Sequence, residues 1–334
     1  MRRLESLGRS ATVRALCWGT LSLVAACSET HTSELTLSAQ GLYRDSITRQ
    51  PVSEAFEYEP DYALWSDGVQ KRRWLIIPDG AVIDTSDMDH WVFPVGTRVF
   101  KEFSQYGTLL ETRLVERVAD TGRFESDYKF ATYVWDEDQI EAHEISTGVQ
   151  NVLGTDHNVP QQKVCKDCHR GEPGAVLGVS ALQLSRSGLL QTLADRNLLS
   201  EKPERRFLMP GDEIVSEAAG YLHANCGHCH SDTGQSQSDM RLHISVAEVD
   251  GPVEETAWYR TTLAQRITEW KDRPASFEYR VVPGDPEHSG VYHRMTVRGD
   301  EEPAPDQMPP LASEKIHPAG LAVIKAWIAA LGRE

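Results

Sequence analysis

The sequence predicts an α+β protein, with a β-rich, sandwich-like N-terminal region followed by a mainly helical one. Three observations carry this. Residues 35–150 hold short runs of β-branched and aromatic side chains cut by Gly and Pro. Near residue 156 the texture changes, and apolar residues begin to recur at helical spacing. The chain has 334 residues, 40% apolar and 25% charged, which is enough for more than one buried core. The expected boundaries are 1–26 for an export segment, 27–155 for the β-rich domain, 156–211 for a first motif-bearing segment and 212–334 for a helical domain.

The N-terminus comes first. "MRRLESLGRSATVR" is basic, and "ALCWGTLSLVAAC" is an apolar run too short to span a bilayer as a helix and ends in small residues. This is the pattern of an export signal. Val24, Ala25 and Ala26 directly before Cys27 match the bacterial lipoprotein box, so Cys27 is the expected lipid-attachment residue. The expected location is the periplasmic side of a bacterial envelope, at the outer membrane rather than the inner, held by a lipid anchor alone.

In the β-rich region "RRWLII" and "AVID" flank the turn signal "PDG". "TRVFKEF", "LLETRLVERV" and "YKFATYVW" follow, separated by Gly107 and Gly122. In the last, Tyr128, Phe130, Thr132 and Val134 alternate with Lys129, Ala131, Tyr133 and Trp135, so both faces are partly covered, in a sandwich or an extended antiparallel sheet. No Gly-rich loop follows a strand, which argues against a nucleotide cofactor. Asp84, Asp87 and Asp89 in "DTSDMD" lack a calcium-loop pattern and read as solvated turn caps, and "WDEDQIEAHE" as an exposed acidic strand end.

The later region is expected to be helical over "SALQLSRSGLLQTLADRNLL" and again after "MPGD", where Asp212 fits an N-cap and Ile214, Ala218, Tyr221 and Leu222 share one face. A last helix has Pro318 near its start and Leu321, Ile324, Ile328 and Leu331 at helical spacing. His288 and His293 read as surface residues, or residues at the edge of a cofactor, rather than ligands.

The six cysteines decide the chemistry. Cys17 and Cys27 belong to the export segment and its end, and Cys165, Cys168, Cys226 and Cys229 all lie in a Cys-x-x-Cys-His motif. Disulfides suit an exported chain but have no use for a histidine after each pair, and the two pairs are too far apart for a zinc ribbon. Covalent haem needs that pattern. On one helical turn, positions i, i+3 and i+4 face the same way, so two thiols can reach a porphyrin's vinyl groups while the histidine reaches its iron. The expected cofactors are two covalently bound c-type haems, at Cys165, Cys168 and His169 and at Cys226, Cys229 and His230. A helix leading into the second motif and a C-terminal helix to cross it is the plan of a class I cytochrome c. Such proteins take a distal sulfur from a loop before the last helix, and Met308, followed by Pro309 and Pro310, occupies that place. The first motif has two candidates for its sixth ligand, Met209 and His157.

These segments, with "YALWSDGVQKRRWLIIPDG", "DTSDMDHWVFPVGTRVFKEF", "KFATYVWDEDQIEA", "LGTDHNVPQQKVCKDCH", "GYLHANCGHCH" and "QMPPLAS", resemble a bacterial family of di-haem c-type cytochromes in which a β-rich region precedes the haem segments. The resemblance covers almost all of the chain beyond the export segment, and it implies electron transfer without naming a substrate. A formal charge of −16 argues against nucleic acid and anionic lipid and leaves a basic redox protein of the envelope as the fitting partner. An electron carrier is therefore expected rather than an enzyme. The alternative is a di-haem peroxidase-like enzyme with one open haem site.

Overall fold

The computed structural model describes residues 35–45, 47–270, 274, 276–299 and 306–332. The export segment and Cys27 lie outside them. Six strands, β1 (Ala55–Glu57), β2 (Gln70–Ile76), β3 (Arg98–Gln105), β4 (Thr108–Arg117), β5 (Tyr128–Trp135) and β6 (Ala142–Ile145), form one antiparallel sheet in the order of the chain. The β3–β4 hairpin closes over Tyr106 and Gly107, both with positive φ (51° and 85°), which gives a tight turn whose twist matches that of the strands.

The sheet is a meander rather than a sandwich. Trp74, Phe100, Leu114, Ala131 and Tyr133 form one buried face, and this is covered by Leu37, Leu42 and Tyr43 from the segment before β1. The other face carries Leu75 and Val99 into a larger core. That core also holds Leu222, Trp258, Ile324 and Trp327. "AVID" does not pair with β2: Ile83 bridges Leu199 and Asp84 bridges Val92 instead. With Pro78 and Gly80 just before it, the segment leaves the sheet and joins the chain around Leu198, Leu199 and Ser200.

Helices α1 (Phe124–Asp127), α2 (Cys165–His169), α3 (Leu189–Asp195), α4 (Glu213–Cys226), α5 (Ala257–Thr262), α6 (Gly290–Thr296) and α7 (Pro318–Ala330) supply the rest. The helix expected across 180–199 is shorter than its pattern, because Gly188 (φ 81°) and Asn197 (φ 56°) bound it in left-handed conformations. Leu182 and Leu184 are buried all the same, from a turn. α4 starts as expected, with the Asp212 carboxylate accepting the Val215 N–H at 3.0 Å. Among the described residues no helix is long and apolar enough to cross a membrane.

Close approach fixes where α4 and α7 lie. A Cβ at Gly320 of α7 would overlap the Tyr221 ring on α4, and one at Gly220 of α4 would overlap the Tyr62 ring. In most helix interiors Gly→Ala stabilises by about 1 kcal/mol. Gly220→Ala is expected to do the opposite and lower the chemical denaturation midpoint; a raised midpoint would show that Tyr62 moves aside without cost.

Candidate functional site

α2 is a single turn, and it holds Cys165, Cys168 and His169 on one side of a loop that lies across the sheet. The His169 ring sits 5.1 Å from the Phe130 ring of β5. Its Nδ1 lies 2.6 Å from the Ala175 carbonyl oxygen. A carbonyl only accepts, so Nδ1 carries the proton and Nε2 keeps a lone pair. That is the tautomer a metal-ligating histidine needs.

The second motif begins in the last turn of α4, and Asn225 pins it by accepting the Trp65 N–H at 2.7 Å. Cys226, Cys229 and His230 line a cavity of about 670 Å³, inside the range of about 300–1,000 Å³ that cofactor sites occupy. Leu242, Ile267, Trp270 and Met295 give it apolar walls, and Met308 with Pro309 and Pro310 lines the same space. The Met308 N–H donates to the Arg294 carbonyl of α6 at 3.0 Å, so the loop is tied to a helix.

The two motifs lie against each other. A Cβ at Gly171 would overlap the His228 carbonyl oxygen, so only glycine permits the contact. The Thr233 hydroxyl donates to the Gly171 carbonyl at 2.6 Å. Asp167, between the first pair of cysteines, lines the cavity of the second motif. All four thiols are free. Burial pushes Cys168 and Cys226 up to about 12, with Cys229 adding to it, which is the reverse of the lowered pKa a redox-active dithiol requires.

Under the first motif the sheet is strongly cationic. Arg73, Lys101 and Arg113 stand directly opposite one another on β2, β3 and β4, so they share one face, with Lys71 two positions along. Like charges in such a row repel. Burial pushes the Lys101 amine well below the usual lysine range, with Arg73, Lys71 and Arg113 adding to the effect, and Lys71 falls to about 8 for the same reasons. Glu111 answers part of this charge: its carboxylate takes two hydrogen bonds from Arg113, at 2.6 and 2.8 Å, and lies 2.8 Å from His157 Nε2. Burial pushes Glu111 up, but those partners outweigh it and hold it at about 2.

The sequence candidates divide in three ways. Cys226, Cys229, His230 and Met308 meet around one cavity, and Cys168 lines a smaller one beside it with Cys226 and Met308, while Cys165 and His169 line neither. His157 is spoken for by Glu111, and Met209 is buried in the main core; neither lines the cavities that carry the cysteines. Asp84 and Asp87 cap turns as expected, whereas Asp89 reaches across to Ser245 and Val246. His288 is an exposed partner of Asp285, while His293 stacks on Phe277 with ring centroids 4.1 Å apart. The cationic row was missed. Its signal was weak: Arg73, Lys101 and Arg113 each have a polar or charged residue on one side and an apolar one on the other, so nothing in the pattern marks them as inward-facing. Comparisons with family models, curated proteins and solved structures return no match for this chain.

His223 and His228, neither of them in an iron-ligand position, are both held down, His228 to about 4, in each case mainly by burial. Between about pH 6.5 and 4 the unfolded chain therefore binds more protons than the folded one, and stability falls as pH falls through that window. The urea midpoint is expected to be lower at pH 5 than at pH 7, and less so in His228→Asn. An equal midpoint at both values would contradict the burial of neutral imidazoles.

Proposed function

We propose that this chain is a di-haem c-type cytochrome that carries electrons in the bacterial cell envelope. The observation that carries the reading is the meeting of two Cys-x-x-Cys-His motifs in one site, with the His169 proton directed onto the Ala175 carbonyl. Cys165 and Cys168 would hold one haem by thioether bonds, and Cys226 and Cys229 the other. His169 and His230 would be the proximal ligands and Met308 the distal ligand of the second. When bound, the haems supply one-electron ferric/ferrous chemistry.

The chain's own residues account for the rest. The Ala175 carbonyl orients His169, and Pro309 and Pro310 stiffen the loop that presents Met308. Leu242, Ile267 and Trp270 would give the second haem apolar contacts. Arg73, Lys101, Arg113 and Lys71 suit the carboxylates of the first haem, which would relieve their mutual repulsion. The packing of α4 against α7 is in keeping with the class I cytochrome c plan. Cys27 would tether the protein by lipid to the outer membrane, and the acidic surface suits a basic redox partner.

The peroxidase-like alternative rests on one observation. Glu111, His157 and Arg113 form a buried acid–base group on the face beside Cys165, the kind of group O–O cleavage requires. Two measurements separate the readings. Met308→Ala is expected to abolish the sulfur-to-iron charge-transfer band of one haem and lower its potential while the other haem is unchanged. As a carrier, the reduced wild-type protein is expected to leave carbon monoxide unbound; rapid binding at one haem that persists in Met308→Ala would favour the enzyme.

A further inference from the structure

We propose that His90, Glu172 and His243 form a site for a divalent transition-metal ion of the zinc type, apart from the thioether motifs. Their ligating atoms all lie within 4.8 Å of one another. His90 Nδ1 and Glu172 Oε1 are 3.1 Å apart. Donors around a tetrahedral ion with bonds of about 2.1 Å stand about 3.4 Å apart, so that pair is already near the required separation, and His243, within 4.8 Å of both, completes the set by moving inward. Two imidazoles and one carboxylate is a donor set that zinc takes with its fourth position open to water.

The three residues come from three distant segments, and each segment is fixed by contacts other than the cluster's own. His90 follows Asp87, whose carboxylate accepts the Asp89 and His90 N–H groups at 2.9 and 3.3 Å. The Asp89 carboxylate then takes the Ser245 hydroxyl at 2.5 Å and the Val246 N–H at 2.8 Å, which binds the loop of His243 to the loop of His90. Glu172 donates its N–H to the His169 carbonyl at 3.2 Å, and Gly174 packs on the Trp91 carbonyl where a Cβ would not fit. The His243 N–H reaches the His230 carbonyl at 3.3 Å.

The side chains are sheltered without being sealed, at 23% exposure for His90 and 16% for Glu172. The His90 and His243 rings lie face to face with centroids 5.0 Å apart. His223 is near, with its ring 4.8 Å from that of His243, but it is no fourth ligand. Its Nδ1 accepts the Ile244 N–H at 3.1 Å, so in the neutral ring the proton sits on Nε2 and no lone pair is left to donate. A bound ion would thus join the loop after β2, the turn after the first motif and the segment after the second. Its fourth position would be left to water.

The test uses the full chain as purified. The protein is incubated with zinc chloride, desalted, and its zinc and iron are counted by plasma mass spectrometry. We expect one zinc per chain, at least about tenfold weaker zinc binding in His90→Ala, Glu172→Gln and His243→Ala, and unchanged zinc in His288→Ala. Circular dichroism checks that each variant is folded, and the iron count reads the haem proposal independently. Absence of retained zinc in the wild type, or zinc retained equally in folded His90→Ala and His243→Ala, would overturn the site.

Discussion

The backbone contact between Gly171 and His228 is the constraint on which the site's geometry depends. It sets the turn after one Cys-x-x-Cys-His motif directly on the middle of the other, and a methyl group at residue 171 would be enough to separate them. The Thr233 hydroxyl and the Gly171 carbonyl lock the same junction from the side. Because Glu172 follows directly, its carboxylate is delivered to His90. Because Ala175 closes the same turn, its carbonyl meets His169. One glycine therefore links the geometry of the first motif, the cavity of the second and the His90–Glu172–His243 cluster.

The sheet is the platform beneath this junction, and its two faces are built by different rules. The face of Trp74, Phe100 and Tyr133 is an ordinary apolar layer. Its reverse spends three adjacent strand positions on Arg73, Lys101 and Arg113, in a place where burial penalises charge. Glu111 neutralises Arg113 at short range, and its pairing also immobilises His157. A sheet selected for stability alone would carry β-branched residues in this row. These cations are accounted for if the first motif brings an anionic group to them, as the carboxylates of the proposed haem would be.

Much of this was legible in the sequence. Runs of β-branched and aromatic residues between turn signals marked β2 through β5, Asp212 marked the start of α4, and the spacing of Leu321, Ile324 and Ile328 marked α7. β1 and β6 escaped because three or four residues are too short to show a period. "AVID" misled because Val82 and Ile83 are β-branched, yet Ile83 and Asp84 pair with Leu199 and Val92, a tertiary choice no local pattern encodes. At the site, the spacing of Cys165, Cys168 and His169 and of Cys226, Cys229 and His230 singled out two segments that the fold sets against each other. What surrounds them was not legible, since Phe130, Ala175 and Lys101 reach the first motif through the sheet register and a single turn. The His90, Glu172 and His243 cluster joins residues far apart in the chain and leaves no spacing to read.

The central claim is that four cysteines hold two haems covalently. Intact-mass spectrometry of the protein made in a host with a c-type maturation system tests it most directly, with Cys168→Ser and Cys229→Ser alongside. The account predicts a wild-type mass raised by two haems that survive denaturation and acid extraction, and impaired covalent attachment at the altered motif in each variant. A polypeptide mass with no haem, or a single haem unaffected by one of the two substitutions, would contradict it.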